Sequence, residues 1–384
     1  MSIKRTFLVF VPLLYVKAQC GDHEIFTRAD ALLKVRQYEE AARVLDGQKH
    51  CNTLSPIDRF QMGWLYGRAR HFATALEMFN GVPEDVPDLQ THKYAVALSK
   101  FELEDYQGVS DILKGLRSQS AFDVKSANLL AVSYSKLGLY QEAYSVLVQD
   151  LRDHPQDLPG YLNMATVCAE GGDFAKAAET ASTASRLFPQ SAEVLVVRGA
   201  ANTMLGHLDQ AREDFKAAVS IAPLSAEPLF FLALTHYKLG NYADAAYILR
   251  SALKEGIADA DLHYLLAECI LKLDPVDTRK VLGQLTQAIE VNPNSVPART
   301  LRGKLLLEAG HPKEAITDLQ RACRLDATSR SAAYNLARAY RAEGRAVESE
   351  TLFRRLRSET GDTLTELGDK RIDRALKQSS TGAP

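Results

Sequence analysis

Histidine, cysteine and acidic residues are present throughout the chain, but their spacing does not match a catalytic or metal-binding motif. The 384 residues include nine His and five Cys, with no His-Glu-x-x-His, Gly-x-Ser-x-Gly, Walker-type glycine loop or Cys-x-x-Cys. His236 is expected in a core or on an inner helix face. His263 and Glu268 are five residues apart, which does not place them on one helix face, so both are expected to be solvated. We predict no enzymatic activity, cofactor, metal or small-molecule substrate.

The charge balance argues against nucleic acid as a partner. The formal net charge is −2, whereas phosphate binding requires an excess of Lys and Arg on one surface. The charge is unevenly distributed, because residues 296–384 carry 17 Lys and Arg against 12 Asp and Glu, a net of +5. The C-terminal quarter is therefore a candidate for contact with acidic groups.

The N-terminus has the pattern of an export signal. Lys4 and Arg5 precede an apolar run of eleven residues, TFLVFVPLLYV (6–16), which is short for a membrane span. Val16-Lys17-Ala18 fits cleavage after Ala18. We predict a signal peptide at 1–18 and a periplasmic or secreted protein that does not span a membrane after its removal. An uncleaved anchor or a buried strand is the alternative, and Gln19 disfavours a lipoprotein modified at Cys20.

A repeat of 34 residues organises the rest of the chain. An aromatic or apolar residue recurs three positions before a small one, as in Tyr38/Ala41, Phe72/Ala75, Tyr106/Val109, Tyr140/Ala143, Phe174/Ala177, Leu208/Ala211, Tyr242/Ala245, Pro312/Ala315 and Ala346/Ser349. One unit is about two residues longer, at LDPVDTRKV (273–281). The pattern predicts ten units over roughly 22–363.

Each unit contains two helical patterns. Apolar residues recur at helical spacing twice, with Gly near the end of the first helix and Pro after the second. Small residues such as Gly63, Gly199 and Gly303 recur where the two helices must approach closely. After Gly361, Leu364, Leu367, Ile372 and Leu376 predict a further helix.

These features resemble the tetratricopeptide repeat family. The resemblance rests on Leu229-Leu232-Ala233, Ala211-Phe215-Ala218-Pro223 and Leu336-Ala337-Tyr340. It implies an all-α, right-handed superhelical solenoid of antiparallel helix pairs. The predicted organisation is a signal peptide at 1–18, a solenoid at 19–363, a capping helix at 364–377 and a disordered tail at 378–384.

The cysteines divide into two groups on this scheme. Cys168, Cys269 and Cys323 fall at packed positions and are expected to act as small apolar core residues. Cys20 precedes the first helix of repeat 1 and Cys51 follows its second helix, so the two lie at neighbouring ends of one helix pair. We predict a disulfide between them in an oxidising compartment. The alternative is two unpaired thiols.

The resemblance also implies that the first helices line a concave groove. Carried over position by position, it selects the candidate peptide-binding residues Phe60, Trp64, Tyr94, Phe101, Phe230, Tyr237, Tyr264, Lys304, Tyr334, Arg338 and Arg341. The aromatic residues suggest apolar anchors, and Lys304, Arg338 and Arg341 suggest a site for acidic groups. In the alternative, the rings pack inside the superhelix and the arginines pair with glutamates on neighbouring helices.

The predicted function is a non-catalytic protein–protein interaction scaffold that binds a protein or peptide segment in its groove, in the bacterial periplasm or cell envelope. The alternative is a structural or assembly subunit of a larger envelope complex that uses its outer face or self-association. A monomer in sedimentation would favour the first, and a defined oligomer would favour the second.

Overall fold

The structure is a computed structural model that describes residues 23–49, 54–118 and 122–356. These residues form 20 α-helices and no β-strand, which confirms the all-α prediction for the described part of the chain. Within those ranges no helix is both long and apolar enough to cross a membrane. The predicted signal peptide, the capping helix at 364–377, the tail, Cys20 and Cys51 all lie outside the described residues.

The chain divides into two compact units, residues 1–137 and 138–384. The helices of the first unit are α1 (His23–Lys34), α2 (Tyr38–Asp46), α3 (Pro56–Arg68), α4 (Phe72–Asn80), α5 (Leu89–Glu102), α6 (Tyr106–Ser118) and α7 (Val124–Lys136). Odd-numbered helices are called first helices below, and even-numbered helices are called second helices.

The second unit contains thirteen of the helices. They are α8 (Tyr140–Asp153), α9 (Leu158–Glu170), α10 (Phe174–Leu187), α11 (Ala192–Met204), α12 (Leu208–Ile221), α13 (Ala226–Lys238), α14 (Tyr242–Lys254), α15 (Ala260–Leu273), α16 (Thr278–Val291), α17 (Val296–Glu308), α18 (Pro312–Leu325), α19 (Arg330–Ala342) and α20 (Ala346–Leu356).

The start points of the second helices reproduce the predicted repeat. Tyr38, Phe72 and Tyr106 begin three of them at intervals of 34 residues, and the same interval continues through the second unit. The single exception is the step from Tyr242 to Thr278, which is 36 residues. This step falls in the repeat that the sequence shows to be about two residues longer. The 34-residue register therefore corresponds to one helix pair per repeat.

Helix pairs are held together by small residues facing large ones. A Cβ added at Gly199 would lie 2.7 Å from Cε1 of Phe215, and one added at Gly303 would lie 2.6 Å from Cγ of Leu319. Such separations are too short for a side chain at either position, so the glycines allow the two helices of a pair to approach closely. Along each unit, first helices also contact one another, as α9 does with α11 and α17 with α19.

The turn inside each pair differs between the units. In the second unit most pairs turn through a glycine with positive φ, such as Gly206 at 78°, and the pair α15–α16 is an exception. The first unit places Arg36, Arg70 and Glu104 at the equivalent positions with φ of 61°, 64° and 62°. Non-glycine residues adopt this left-handed conformation at some energetic cost. A sequence search for glycine at the end of the first helix therefore misses these three turns.

Candidate functional site

The fifth position of each first helix is buried in most of the array. Phe60 on α3 is 6% exposed, Phe230 on α13 is 1% exposed and Tyr264 on α15 is 7% exposed. The Phe60 ring packs 5.2 Å from the ring of Phe79, and the Phe230 ring packs 5.6 Å from that of Phe231. These three residues were predicted as groove-lining anchors. Their burial matches the alternative in which the rings pack inside the superhelix, and a role in peptide binding stays a prediction.

The remaining aromatic candidates in the first unit are half-buried. Trp64 packs against the core of that unit, and the Phe101 ring lies 5.3 Å from the ring of Tyr106 in an edge-to-face arrangement. Burial raises the pKa of the Tyr94 hydroxyl. These side chains retain partial exposure on the first helices α3 and α5, and their role in binding stays a prediction.

Glu268 on α15 departs from the expectation of a solvated side chain. It is buried, and the Tyr264 hydroxyl donates a hydrogen bond of 2.9 Å to its Oε1. Burial raises the pKa of the Glu268 carboxyl, and the hydrogen bond from Tyr264 and the positive charges of Lys272 and Lys304 offset only part of that rise. The sequence signal for this burial is its register: Glu268 occupies the ninth position of its helix, where buried Leu234 lies in the preceding repeat.

Of the two histidines considered in the sequence analysis, His263 departs from the expected solvated position and His236 agrees with the expected inner-face position. His263 is half-buried, and its Nδ1 lies 2.8 Å from Oε1 of Gln284 on α16. His236 is also half-buried, as expected for an inner-face residue, and desolvation lowers its pKa against the opposing effect of Asp244. In the described residues, no group of three or more His, Cys, Asp or Glu side chains is placed to hold a metal ion.

The ninth position changes from acidic to basic along the last three first helices. Glu268 is followed at the equivalent positions by Lys304 on α17 and Arg338 on α19. Lys304 is exposed, Arg338 is half-buried, and Arg341 is exposed one turn beyond Arg338 on the same helix. The structure thus places the predicted basic residues on consecutive first helices at the C-terminal end of the described chain.

Arg338 and Arg341 lie against aromatic rings. The Arg338 guanidinium carbon is 5.9 Å from the centroid of the Tyr334 ring, and that of Arg341 is 4.8 Å from the centroid of Phe353 on α20. The two rings lie edge to face at 5.9 Å. We call Tyr334, Arg338, Arg341 and Phe353 the basic-aromatic surface. Phe353 is missing from the sequence prediction because it lies on a second helix.

Neither guanidinium group of this surface forms an ion pair with a carboxylate among residues 23–49, 54–118 and 122–356. Within the described ranges, Arg338 forms a hydrogen bond of 3.3 Å from Nη1 to Oδ1 of Asn335. The described residues therefore do not show the alternative in which these arginines pair with glutamates on neighbouring helices. Cation–π contacts with a ring leave N–H donors of a guanidinium group free to bind a further acceptor.

Other arginines of the second unit are used inside the structure. Arg198 Nε donates to Asp214 Oδ1 at 2.9 Å, and Arg302 Nε donates to Asp318 Oδ2 at 2.6 Å. Arg299 Nη1 also donates to Asp318, at 2.8 Å. These pairs join the two helices of one repeat, whereas Arg338 and Arg341 have no carboxylate partner in the part of the chain that the structure describes.

The cysteine prediction is confirmed where the structure describes it. Cys168 and Cys269 are buried, Cys323 is half-buried, and all three are free thiols. Burial raises the pKa of Cys168 to about 11 and that of Cys269 to about 12. They behave as core residues and not as reactive thiols.

Comparison with known proteins agrees with the helix-pair architecture. A segment of 94 residues is 35% identical to human tetratricopeptide repeat protein 7B, and it covers 24% of this chain and 11% of that protein. The chain therefore matches only about a tenth of the length of this curated relative. A tetratricopeptide repeat protein from Parabacteroides merdae has a crystal structure with a TM-score of 0.51 at 18% identity, covering 65% of this chain and 98% of that chain.

Two sequence profiles match this chain. Residues 330–355 match a tetratricopeptide repeat profile. Residues 90–339 match the family described as the cilia and flagella-associated protein 70 C-terminal domain, a tetratricopeptide repeat domain, and this match covers more than half of the chain. The chain belongs to this tetratricopeptide repeat family.

Proposed function

We propose that this protein is a non-catalytic scaffold that binds an acidic protein segment through Lys304 and the basic-aromatic surface. The general role of a non-catalytic protein-binding scaffold is supported by its family, because tetratricopeptide repeat proteins are typically non-enzymatic and bind protein partners. The proposed binding of an acidic segment rests on one observation. Two guanidinium groups on α19 lack a carboxylate partner among the described residues. A partner segment would supply those carboxylates.

The chemistry of the surface favours a segment that combines acidic and apolar side chains. Arginine presents several N–H donors in a planar group that matches a carboxylate in two-point contact. Tyr334 is 51% exposed, and its ring offers an apolar contact beside the charge. Lys304, one repeat earlier at the equivalent position, extends the positive charge along the first helices. Clustered like charges also accelerate association with an oppositely charged partner.

Binding of a short peptide that contains Glu and Leu tests this proposal. Fluorescence anisotropy should show binding that weakens as sodium chloride is raised, because salt screens exposed charges. Arg338→Glu with Arg341→Glu should weaken binding at least about tenfold, since attraction becomes repulsion. The matched control is Arg250→Glu with Lys254→Glu on α14, which makes the same change in net charge at two exposed positions. Equal loss in both double variants would contradict a local site.

We also propose that the protein acts after export, in the periplasm or outside the cell. The support is the basic pair Lys4 and Arg5, the apolar run at 6–16 and the cleavage pattern that ends at Ala18. Intact mass measurement of protein from the native host should give a mature chain that begins at Gln19. Recovery of the chain with its first residues intact from the cytoplasmic fraction would contradict export.

A further inference from the structure

The ninth positions of the first helices in the second unit change from uncharged to charged toward the C-terminal end. On α9, α11 and α13 these positions are at most 9% exposed and hold Thr166, Ala200 and Leu234. On α15, α17 and α19 they hold Glu268, Lys304 and Arg338, which we call the charged row. The row presents one anion followed by two cations, so a bound segment can match or oppose its order of charges.

Glu268 keeps one carboxylate oxygen for a donor from outside the described chain. The Tyr264 hydroxyl donates to Oε1 at 2.9 Å. No donor among the described residues reaches Oε2, and this oxygen is not one of the solvent-inaccessible polar atoms that lack a partner. Oε2 therefore reaches the surface of the first helices. A carboxylate oxygen in this position accepts a charge-assisted hydrogen bond from a cation such as a lysine ammonium group.

The burial of Glu268 favours a role in recognition. Burial raises the pKa of its carboxyl, so the ionised form lowers the stability of the fold at neutral pH. Ala200 and Leu234, at the same position of earlier repeats, are buried without this cost. Carboxyl groups with pKa values shifted by burial are concentrated at functional sites, because packing alone is better served by apolar side chains.

Lys304 and Arg338 are placed to contact two acidic side chains of one extended segment. Their helices α17 and α19 contact each other, and the axes of packed helices lie about 8–10 Å apart. In a polyproline II segment, residues three positions apart point the same way and are separated by about 9 Å. Helices α15 and α17 are less closely packed, and the long, flexible side chain of a lysine over Glu268 covers the wider step.

We infer that the charged row selects a partner segment in which a basic residue over Glu268 is followed, at three-residue intervals, by acidic residues over Lys304 and Arg338. This inference rests on the proposed function, because it specifies the acidic segment that the same surface binds. A segment with a third acidic residue in place of the basic one meets repulsion from the Glu268 carboxylate. The row thus disfavours long acidic tracts that the two cations alone would accept.

Three peptides that differ at one residue test this order: KSPESPEL, QSPESPEL and ESPESPEL. Each is acetylated, labelled with fluorescein and measured by anisotropy with the full chain at neutral pH, and the shared Leu is intended to contact Tyr334. The peptide that begins with Lys should bind about fivefold more tightly than the other two, because only it gains an attractive contact with Glu268. Attraction to the cations alone predicts the opposite, with the most negative peptide binding most tightly.

Single variants assign the preference to the row. Glu268→Gln can still accept the hydrogen bond from Tyr264, and it should weaken binding of KSPESPEL about fivefold while leaving QSPESPEL unchanged. Lys304→Glu should weaken binding of all three peptides. The matched control is Glu290→Gln on α16, which removes the same charge at an exposed position of a second helix and should change neither affinity. Circular dichroism should show unchanged helicity in every variant.

The outcomes separate this inference from the proposed function. Tightest binding of ESPESPEL by the wild type, or equal binding of all three peptides, would overturn selection by charge order while leaving an acidic-segment site intact. A preference for KSPESPEL that survives Glu268→Gln would also overturn it. Failure of all three peptides and of the Glu- and Leu-containing peptide to bind would instead overturn the proposed function.

Discussion

Asp318 provides the sharpest test of how the repeats of the second unit are held together. Its side chain is 4% exposed and accepts hydrogen bonds from two arginines on α17. Arg302 donates to both carboxylate oxygens, at 2.6 Å and 2.8 Å, and also donates through Nη1 to Thr286 on α16 at 3.2 Å. Arg302 therefore connects one repeat with the next, and Asp318 holds it in place.

We expect Asp318→Asn to destabilise this region by about 3 kcal/mol. Breaking a buried ion pair by removing one partner typically costs about 3–5 kcal/mol, because a charge is left without compensation. The arginine side chains are 14% and 21% exposed, so water reaches them in part and the lower end of that range applies. The matched control is Asp209→Asn, because Asp209 is 79% exposed, pairs with Arg212 at 3.0 Å and should contribute less than about 1 kcal/mol.

Amide hydrogen exchange is the appropriate assay, because a repeat array need not unfold in one step. A loss of about 3 kcal/mol corresponds to roughly a hundredfold faster exchange in α17, α18 and α19, with helices of the first unit unchanged. Replacing Asp318, Arg299 and Arg302 together by apolar residues should restore much of the stability, since no charge is then buried. The reasoning is refuted if Asp318→Asn accelerates exchange no more than Asp209→Asn does.

Three further predictions concern helix packing, pH and thiol chemistry. Gly303→Ala should destabilise by about 1–3 kcal/mol because its Cβ meets Leu319, whereas Gly283→Ala, with open space around it, should stabilise by roughly 0.5–1 kcal/mol; urea unfolding measures both. The raised pKa of Glu268 means that its contribution to stability is complete below about pH 4.5 and is lost as the pH rises through the raised value. Glu268→Gln should therefore increase the free energy of unfolding at neutral pH and reduce the loss of stability that occurs as the pH rises through the raised pKa of Glu268. An unchanged dependence of stability on pH would exclude ionisation of Glu268 as the cause. Cys168 and Cys269, whose pKa values are raised by burial, should react slowly with a thiol reagent in the folded protein, and the denatured mature protein should show three free thiols if Cys20 and Cys51 are bridged.

The sequence alone determined the repeat, the helix pairs and the face of each helix that is turned inward. A 34-residue period with two helical patterns per repeat is typical of a solenoid of helix pairs, because the apolar positions of each pattern indicate which face of the helix is buried. Gly199 and Gly303 were recognisable as close-approach positions for the same reason: their spacing repeats that of small residues in every unit. The basic residues Lys304, Arg338 and Arg341 were also found by register alone.

The tertiary structure decided which inward positions are covered. Phe230 and Tyr334 occupy the same register position and are both aromatic, but their exposed fractions are 1% and 51%. The difference arises because a following helix pair packs over Phe230, and none among the described residues packs over Tyr334. Likewise, the burial of Glu268 and the contact of Arg341 with Phe353 depend on neighbours that are distant along the chain. A local pattern specifies the face that a side chain occupies, and only packing between repeats specifies what lies against that face.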